Sequence, residues 1–214
     1  MSGAPNEYFY VKHALTPSRY LDINPRGLVP SIKYSVPGLL DEEILTESAI
    51  VIQFLADSFP SPLLPASKES PTSALTRARI AFFQDTWTTK IGPFLFHILT
   101  LSDPAQKEAK VDELIAALTK EIEPLLAHAK PFFGGSAQLT LAEVFAGPFL
   151  LRLDSYAADG ELAPHSLGEK MDALPNFGRW KKAVTSHQTV KRVYDEKKIL
   201  EGTKARIAKM QAAN

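Results

Sequence analysis

With 214 residues, the chain is long enough to bury a core as one large domain or two small ones. Its 24 basic and 24 acidic side chains balance, which argues against nucleic acid and other polyanionic partners. The absence of cysteine excludes disulfides, thiolate metal sites and a cysteine nucleophile, and no metal site is expected. The first residues, MSGAPNEYFYVK, lack the basic and apolar regions of a signal peptide. Apolar runs such as Val144 to Leu151 fall short of a membrane span. A cytoplasmic protein with no membrane partner is the expectation.

Residues 6–12, NEYFYVK, are rich in aromatic and β-branched types and read as a strand. VPSIKYSVPGLLDEEILTE then reads as two short strands joined around Pro37-Gly38. In ESAIVIQFLADSFP, the residues Ile50, Val51, Phe54, Leu55 and Phe59 share one helical face, and Pro60 stops the helix. Pro60, Pro62, Pro65, Pro71 and several serines follow, so residues 61–73 read as a linker. Beyond it the pattern is helical. One amphipathic segment runs from Leu75 to Leu101 with a kink near Gly92-Pro93, and another from Pro104 to His128. A third begins at Thr140, where Thr140 and Glu143 form a capping box with Leu139 and Val144 placed for a hydrophobic staple. Helices over Asn176 to His187 and from Lys191 onwards complete the chain, the last read as a solvated helix. The class is therefore α+β: a small mixed unit (1–60), a linker (61–73) and an all-α unit (74–214).

NPRGLVPSI at Asn24 to Ile32 and TESAIVIQFLADSFP at Thr46 to Pro60 resemble the glutathione-binding half of glutathione transferases. Gly27-Leu28-Val29-Pro30 looks most like the omega and related fungal classes. QLTLAEVFAGPFLLRL and LPNFGRWKKAV are similar to that family's helical domain, so the likeness runs from Asn6 to about Val190. The resemblance implies a thioredoxin-like first domain and a helical-bundle second domain. It also implies a cis bond at Val29-Pro30 that turns the Val29 backbone towards the cysteinyl part of glutathione, which then pairs as an added strand. Glu47 and Ser48 stand at a helix start, where unpaired N–H groups suit the γ-glutamyl carboxylate, Ser48 adds a hydrogen bond and Glu47 faces the ammonium. The glutathione-binding residues so implied are Val29, Pro30, Glu47, Ser48 and His13. Thr16 occupies the place of an omega-type lysine directed at the glycine carboxylate, and Lys12, His13 or Arg19 can substitute for it.

Aligned on this pattern, the chain starts at the family's second strand, so a truncated thioredoxin-like domain lacking the first strand and first helix is expected. The family's activating Tyr, Ser or Cys belongs to that segment, which leaves the catalytic residue unassigned and Tyr8, Tyr10, Ser48, the helical domain or a partner subunit as sources of activation. The Tyr8 to Val11 strand is expected to move into the vacant place or to pair with another chain. Trp87, Phe94, His97 and Tyr156, with Arg152 nearby, are candidate walls of an electrophile pocket; each aromatic also fits an ordinary core. The resemblance implies an enzyme that adds the glutathione thiol to a hydrophobic electrophile, or a glutathione-dependent cis/trans isomerase such as serves fungal secondary metabolism. A non-catalytic binding or scaffold protein is the rival, and pairing as a homodimer is implied by analogy.

Overall fold

A computed structural model describes residues 18–59 and 61–212. The chain divides into two compact units, Met1–Phe59 and Pro60–Asn214. In the first, a short helix α1 (Ser18–Ile23) precedes an antiparallel hairpin of β1 (Ser31–Val36) and β2 (Leu40–Thr46), followed by α2 (Ser48–Ser58). The turn closes through a hydrogen bond from Leu39 N–H to the Val36 carbonyl, with Gly38 at φ 77°, a conformation that costs glycine little. Register runs from Ser31 opposite Thr46 to Val36 opposite Leu40, with an irregularity between Tyr34 and Val36. The α2 helix meets the hairpin through Phe54, whose ring stands edge-on to Tyr34 at 4.9 Å, and through buried Val51. The apolar face expected of this helix is only partly inward, because Ile50, Leu55 and Phe59 are exposed. The strand read over residues 6–12 lies outside the described residues, as does Pro60.

The second unit is helical throughout. Residues 61–73, expected to link the units, are anchored here: Leu64 is buried, and the Leu63 carbonyl accepts from Leu141 N–H at 2.8 Å. The long segment after them is α3 (Ser73–Thr86), a π-helical turn (Trp87–Ile91) and α4 (Gly92–Thr100). The irregularity therefore falls before Gly92-Pro93 rather than on it. Pro93 offers no N–H and its ring crowds the preceding turn, so Gly92 N–H reaches back five residues to the Trp87 carbonyl. The same device recurs after α5 (Pro104–Ala117), where Glu123 N–H reaches the Leu118 carbonyl just before Pro124. Helix α6 (Leu141–Asp159) is followed by α7 (Ser166–Asp172), unmarked in the sequence reading, and by α8 (Pro175–Ser186). The segment from Lys191 onwards is broken: α9 (Gln188–Lys191) ends, and α10 (Glu196–Gln211) restarts with the Asp195 side chain accepting from Lys198 N–H.

Phe83, Trp87, Phe177 and Trp180 are fully buried and fill the centre of this unit. Beside them lies Glu143, also fully buried, whose carboxyl oxygens accept from Thr140 N–H and Oγ1, Phe133 N–H and Trp180 Nε1 at 2.6 to 2.8 Å. The capping box expected at Thr140 is thus complete, and the same side chain also ties the preceding loop and α8 to α6. Glu123 performs a related task from outside α8, accepting from the Asn176 and Phe177 N–H groups at 2.7 Å. Gly178 is required where α8 passes α7, since a Cβ there would lie 2.4 Å from the Asp172 carbonyl oxygen. Buried Lys181 joins Asp154 at 2.5 Å and Asp172 at 2.8 Å.

Replacing Glu143 by alanine strands several buried donors, and a loss of about 3 kcal/mol or more is expected in urea unfolding. Glu143→Gln keeps one acceptor oxygen and should lose less; equal midpoints for all three proteins would refute the assigned role. Burial works against the charge on Lys181, but the hydrogen bonds to Asp154 and Asp172 outweigh it and raise its pKa above 10.5. Its contribution is therefore complete below pH 10.5 and is lost as pH rises through the higher folded value. Stability measured against pH should decline more steeply above 10.5 in the unaltered chain than in Lys181→Met.

Candidate functional site

The last rung of the hairpin pairs Ser31 with Thr46. Register thus brings Val29 and Pro30, just before β1, opposite Glu47 and Ser48, just after β2. The residues on each side are fixed by different means. On the first side, the NPRGLVP segment turns on Asn24, whose carbonyl accepts from Gly27 N–H at 2.9 Å while its side-chain Oδ1 accepts from Arg26 N–H at 3.1 Å. Gly27 sits at φ 65°, in the left-handed region that favours glycine. The Leu28 carbonyl is held twice, by Asn24 Nδ2 at 2.7 Å and by the Tyr20 hydroxyl, and both groups also reach Ser31 Oγ. Asn24 and Tyr20 are buried, so this clamp is shielded from competing water.

What emerges from the clamp is Val29, 46% exposed and joined to Pro30 by a cis peptide bond. Among the described residues its backbone N–H and C=O have no hydrogen-bond partner. On the opposite side, Glu47 is the N-cap of α2 at φ 69°, ψ 120°, an uncommon backbone state for a side-chain-bearing residue. Its carboxylate makes no capping bond to α2. Instead it pairs with Arg26 across the opening, Nη1 to Oε1 at 2.5 Å, with both side chains well exposed. The first intrahelical bond of α2 runs from Val51 N–H to the Glu47 carbonyl, which leaves the N–H groups of Ser48, Ala49 and Ile50 open. No acidic side chain occupies that first turn. Two exposed backbone edges, a hydroxyl, a carboxylate and a guanidinium thus converge on one end of the hairpin.

Four of the expected binding residues, Val29, Pro30, Glu47 and Ser48, are brought together here, and Ser48 is exposed. His13 lies outside the described residues, together with Tyr8, Tyr10, Lys12 and Thr16; so does the side chain of Arg19. Sequence reasoning missed Tyr20 and Arg26 and gave Asn24 no role of its own. Asn before proline is a recognisable turn starter, but nothing near Tyr20 marks its hydroxyl as a backbone clamp.

The candidate pocket walls are not gathered into one surface. Trp87 has no exposed area and packs against Phe83, Phe149 and Phe177, so in the helical unit it is core and not wall. Its Nε1 and the nearby Gln84 Nε2 are buried without partners among the described residues. Tyr156 is also buried, with its hydroxyl 3.1 Å from Thr203 Oγ1 on α10. Phe94 is half-buried and His97 exposed on α4. A cavity of about 360 Å³ in this unit is lined by other residues, among them Leu101, Lys107, Leu162, Lys204 and Ile207. Among the described residues no group of His, Asp or Glu is arranged to hold a metal ion.

The family model of the glutathione S-transferase C-terminal domain matches residues 104–183. Glutathione S-transferase omega-1 of Sus scrofa is 24% identical over 185 residues, covering 86% of this chain and 68% of that protein. Glutathione transferase Omega 1C from Trametes versicolor superposes with a TM-score of 0.75 at 22% identity, over 94% of this chain and 84% of that one. Rice GST1 in complex with glutathione superposes with a TM-score of 0.66 at 22% identity, over 88% and 79% respectively. These neighbours fit the hairpin unit, over its described residues, to a thioredoxin-like domain and the helical unit to an all-α transferase-type domain.

If the Tyr20–Asn24 clamp holds the turn, Asn24→Ala should cost about 1–2 kcal/mol locally. Hydrogen–deuterium exchange is then expected to quicken across residues 24–36 and to stay unchanged in α6. Unaltered exchange over 24–36 would show that the turn stands without it.

Proposed function

We propose that the chain is a member of the glutathione S-transferase superfamily, with omega-class relatives, and that it is an enzyme that holds glutathione at the hairpin end and adds its thiol to a hydrophobic electrophile. The observation that carries this reading is the open backbone of Val29 facing the open first turn of α2 across the Ser31–Thr46 rung. A tripeptide needs an edge to pair with, and Val29 N–H and C=O supply one for the cysteinyl unit. A γ-glutamyl group needs a carboxylate site and an ammonium site. The first-turn N–H groups of α2 with the Ser48 hydroxyl supply the former, and the Glu47 carboxylate supplies the latter. Pro30 shapes the turn, and His13 is assigned to the glycine carboxylate.

The chemistry asked of this cradle is positioning. A thiol with a pKa near 8.5 is only a few per cent thiolate at neutral pH, so little nucleophile is present at any moment. Holding the sulfur at one place beside an electrophilic carbon raises its effective concentration, a gain worth several kcal/mol. In the step itself the sulfur–carbon bond forms, the thiol proton leaves to solvent, and the electron pair of the activated double bond moves to the far atom and is protonated. Phe94 and His97, the accessible members of the expected set, are assigned to the electrophile's side. Among the described residues no helix is long and apolar enough to cross a membrane. By analogy with the family, we assign the protein to the cytoplasm as a homodimer.

Calorimetric titration with glutathione is expected to show sub-millimolar binding that weakens about tenfold in Ser48→Ala. Absent or millimolar binding would leave a non-catalytic scaffold as the function. With an activated alkene present, consumption of glutathione identifies a transferase, whereas isomerised alkene with glutathione returned identifies the isomerase.

A further inference from the structure

The Glu47 carboxylate sits at the N-cap of α2 yet accepts nothing from α2. A carboxylate at a helix start is ordinarily favoured close to the open N–H groups of that helix, where it meets the positive end of the dipole. Here those N–H groups are left open, and the carboxylate is drawn across the opening to Arg26, which approaches from the turn before β1, 21 residues away in sequence. The Arg26 backbone is itself fixed, because its N–H donates to Asn24 Oδ1 in the buried clamp.

We propose that Arg26 is a positioning residue for the amino-acid end of the ligand, holding the Glu47 carboxylate off α2 so that carboxylate and ammonium sites stay separate. This rests on the glutathione reading above and adds to it the residue that sets the polarity of the site. Without the guanidinium, the Glu47 carboxylate is free to cap α2, occupying the N–H groups meant for the ligand's carboxylate and repelling it by like charge. With the guanidinium in place, the site carries one positive and one negative side chain, matched in net charge to a zwitterion. The second Glu47 oxygen remains for the ammonium.

The test compares glutathione with 4-aminobutyryl-cysteinylglycine, which keeps the ammonium and lacks the α-carboxylate. In Arg26→Gln, glutathione affinity measured by calorimetry should fall about three- to tenfold, the range expected for a partly exposed charged contact. Affinity for the carboxylate-free analogue should fall clearly less, because that ligand loses only its ammonium contact and never used the N–H groups of α2, and Arg26→Lys should recover most of the glutathione binding. Adding Glu47→Gln to Arg26→Gln should bring no further loss of the kind each causes alone, since the two act as one unit. Equal weakening of both ligands in Arg26→Gln would mean that the turn has merely collapsed and overturns the proposal, as does unchanged glutathione affinity. Failure of the unaltered chain to bind glutathione overturns the functional reading as well; binding that is indifferent to Arg26 overturns only this one.

Discussion

The pairing of Ser31 with Thr46 is the constraint on which the first unit's chemistry depends. It is the final rung of a short hairpin, and the two chains part immediately beyond it. Because a one-residue slip would turn every side chain of a strand to the other face, the register decides whether Val29 and Glu47 confront one another at all. That register is secured from outside the ladder. The Ser31 hydroxyl is bound by both Tyr20 and Asn24, the same pair that holds the Leu28 carbonyl. One buried polar cluster therefore fixes a strand's beginning and the conformation of the turn that feeds it. The exposed Val29 edge is the product of that cluster, because a backbone left open towards solvent keeps one shape only if its neighbours are fully engaged.

The helical unit solves an analogous problem with a different residue. Its central carboxyl, Glu143, has no cation paired with it among the described residues; donors from a loop, from a helix start and from Trp180 surround it instead. Hydrogen bonds of this kind are directional, so they specify how three segments meet, whereas the aromatic packing of Phe83, Trp87 and Phe177 supplies non-directional burial. The prolines at 93 and 124 add a second form of specification. Each forces a widened turn upstream, and in both places the helix resumes or tightens into a new direction without breaking.

Much of this was readable from residue types, where one local rule sufficed. The hairpin around Pro37-Gly38 follows from turn chemistry, the start of α6 from the Thr140–Glu143 spacing, and the confrontation of Val29 with Glu47 and Ser48 from motifs with a known arrangement. Reading failed where the deciding partner is remote or its role ambiguous. Trp87 has the same apolar pattern whether it lines a pocket or fills a core, and only its neighbours Phe149 and Phe177, far along the chain, decide the matter. Helix α7 is too short for a strong periodic signal; it buries Leu167 and Met171, and Lys170 and Ser166 reach Glu108 on α5. In the break between α9 and α10 stands Tyr194, whose hydroxyl reaches Ser155 and the Leu151 carbonyl on α6. The first π turn was anticipated as a kink near Gly92-Pro93 and the second, before Pro124, was not; the sequence marks the residue that lacks the N–H and not the carbonyl five residues back that gains a partner.

Glu47 shows how function can be separated from stability in such a site. A side-chain-bearing residue held at φ 69° costs on the order of 1–3 kcal/mol relative to an ordinary conformation. Its exposed pair with Arg26 returns about 0–1 kcal/mol, and by turning away from α2 the carboxylate forgoes a dipole interaction worth about 0.3–1 kcal/mol. Folding alone therefore gives no reason to keep a carboxylate there in that posture: glycine would relieve the backbone, and a serine or aspartate in an extended conformation would cap the helix. The arrangement becomes sensible once a zwitterion enters, because the open N–H groups and the displaced carboxylate then both acquire partners. On the proposed function, this local deficit belongs to a pre-organised site whose interactions a bound zwitterion would complete.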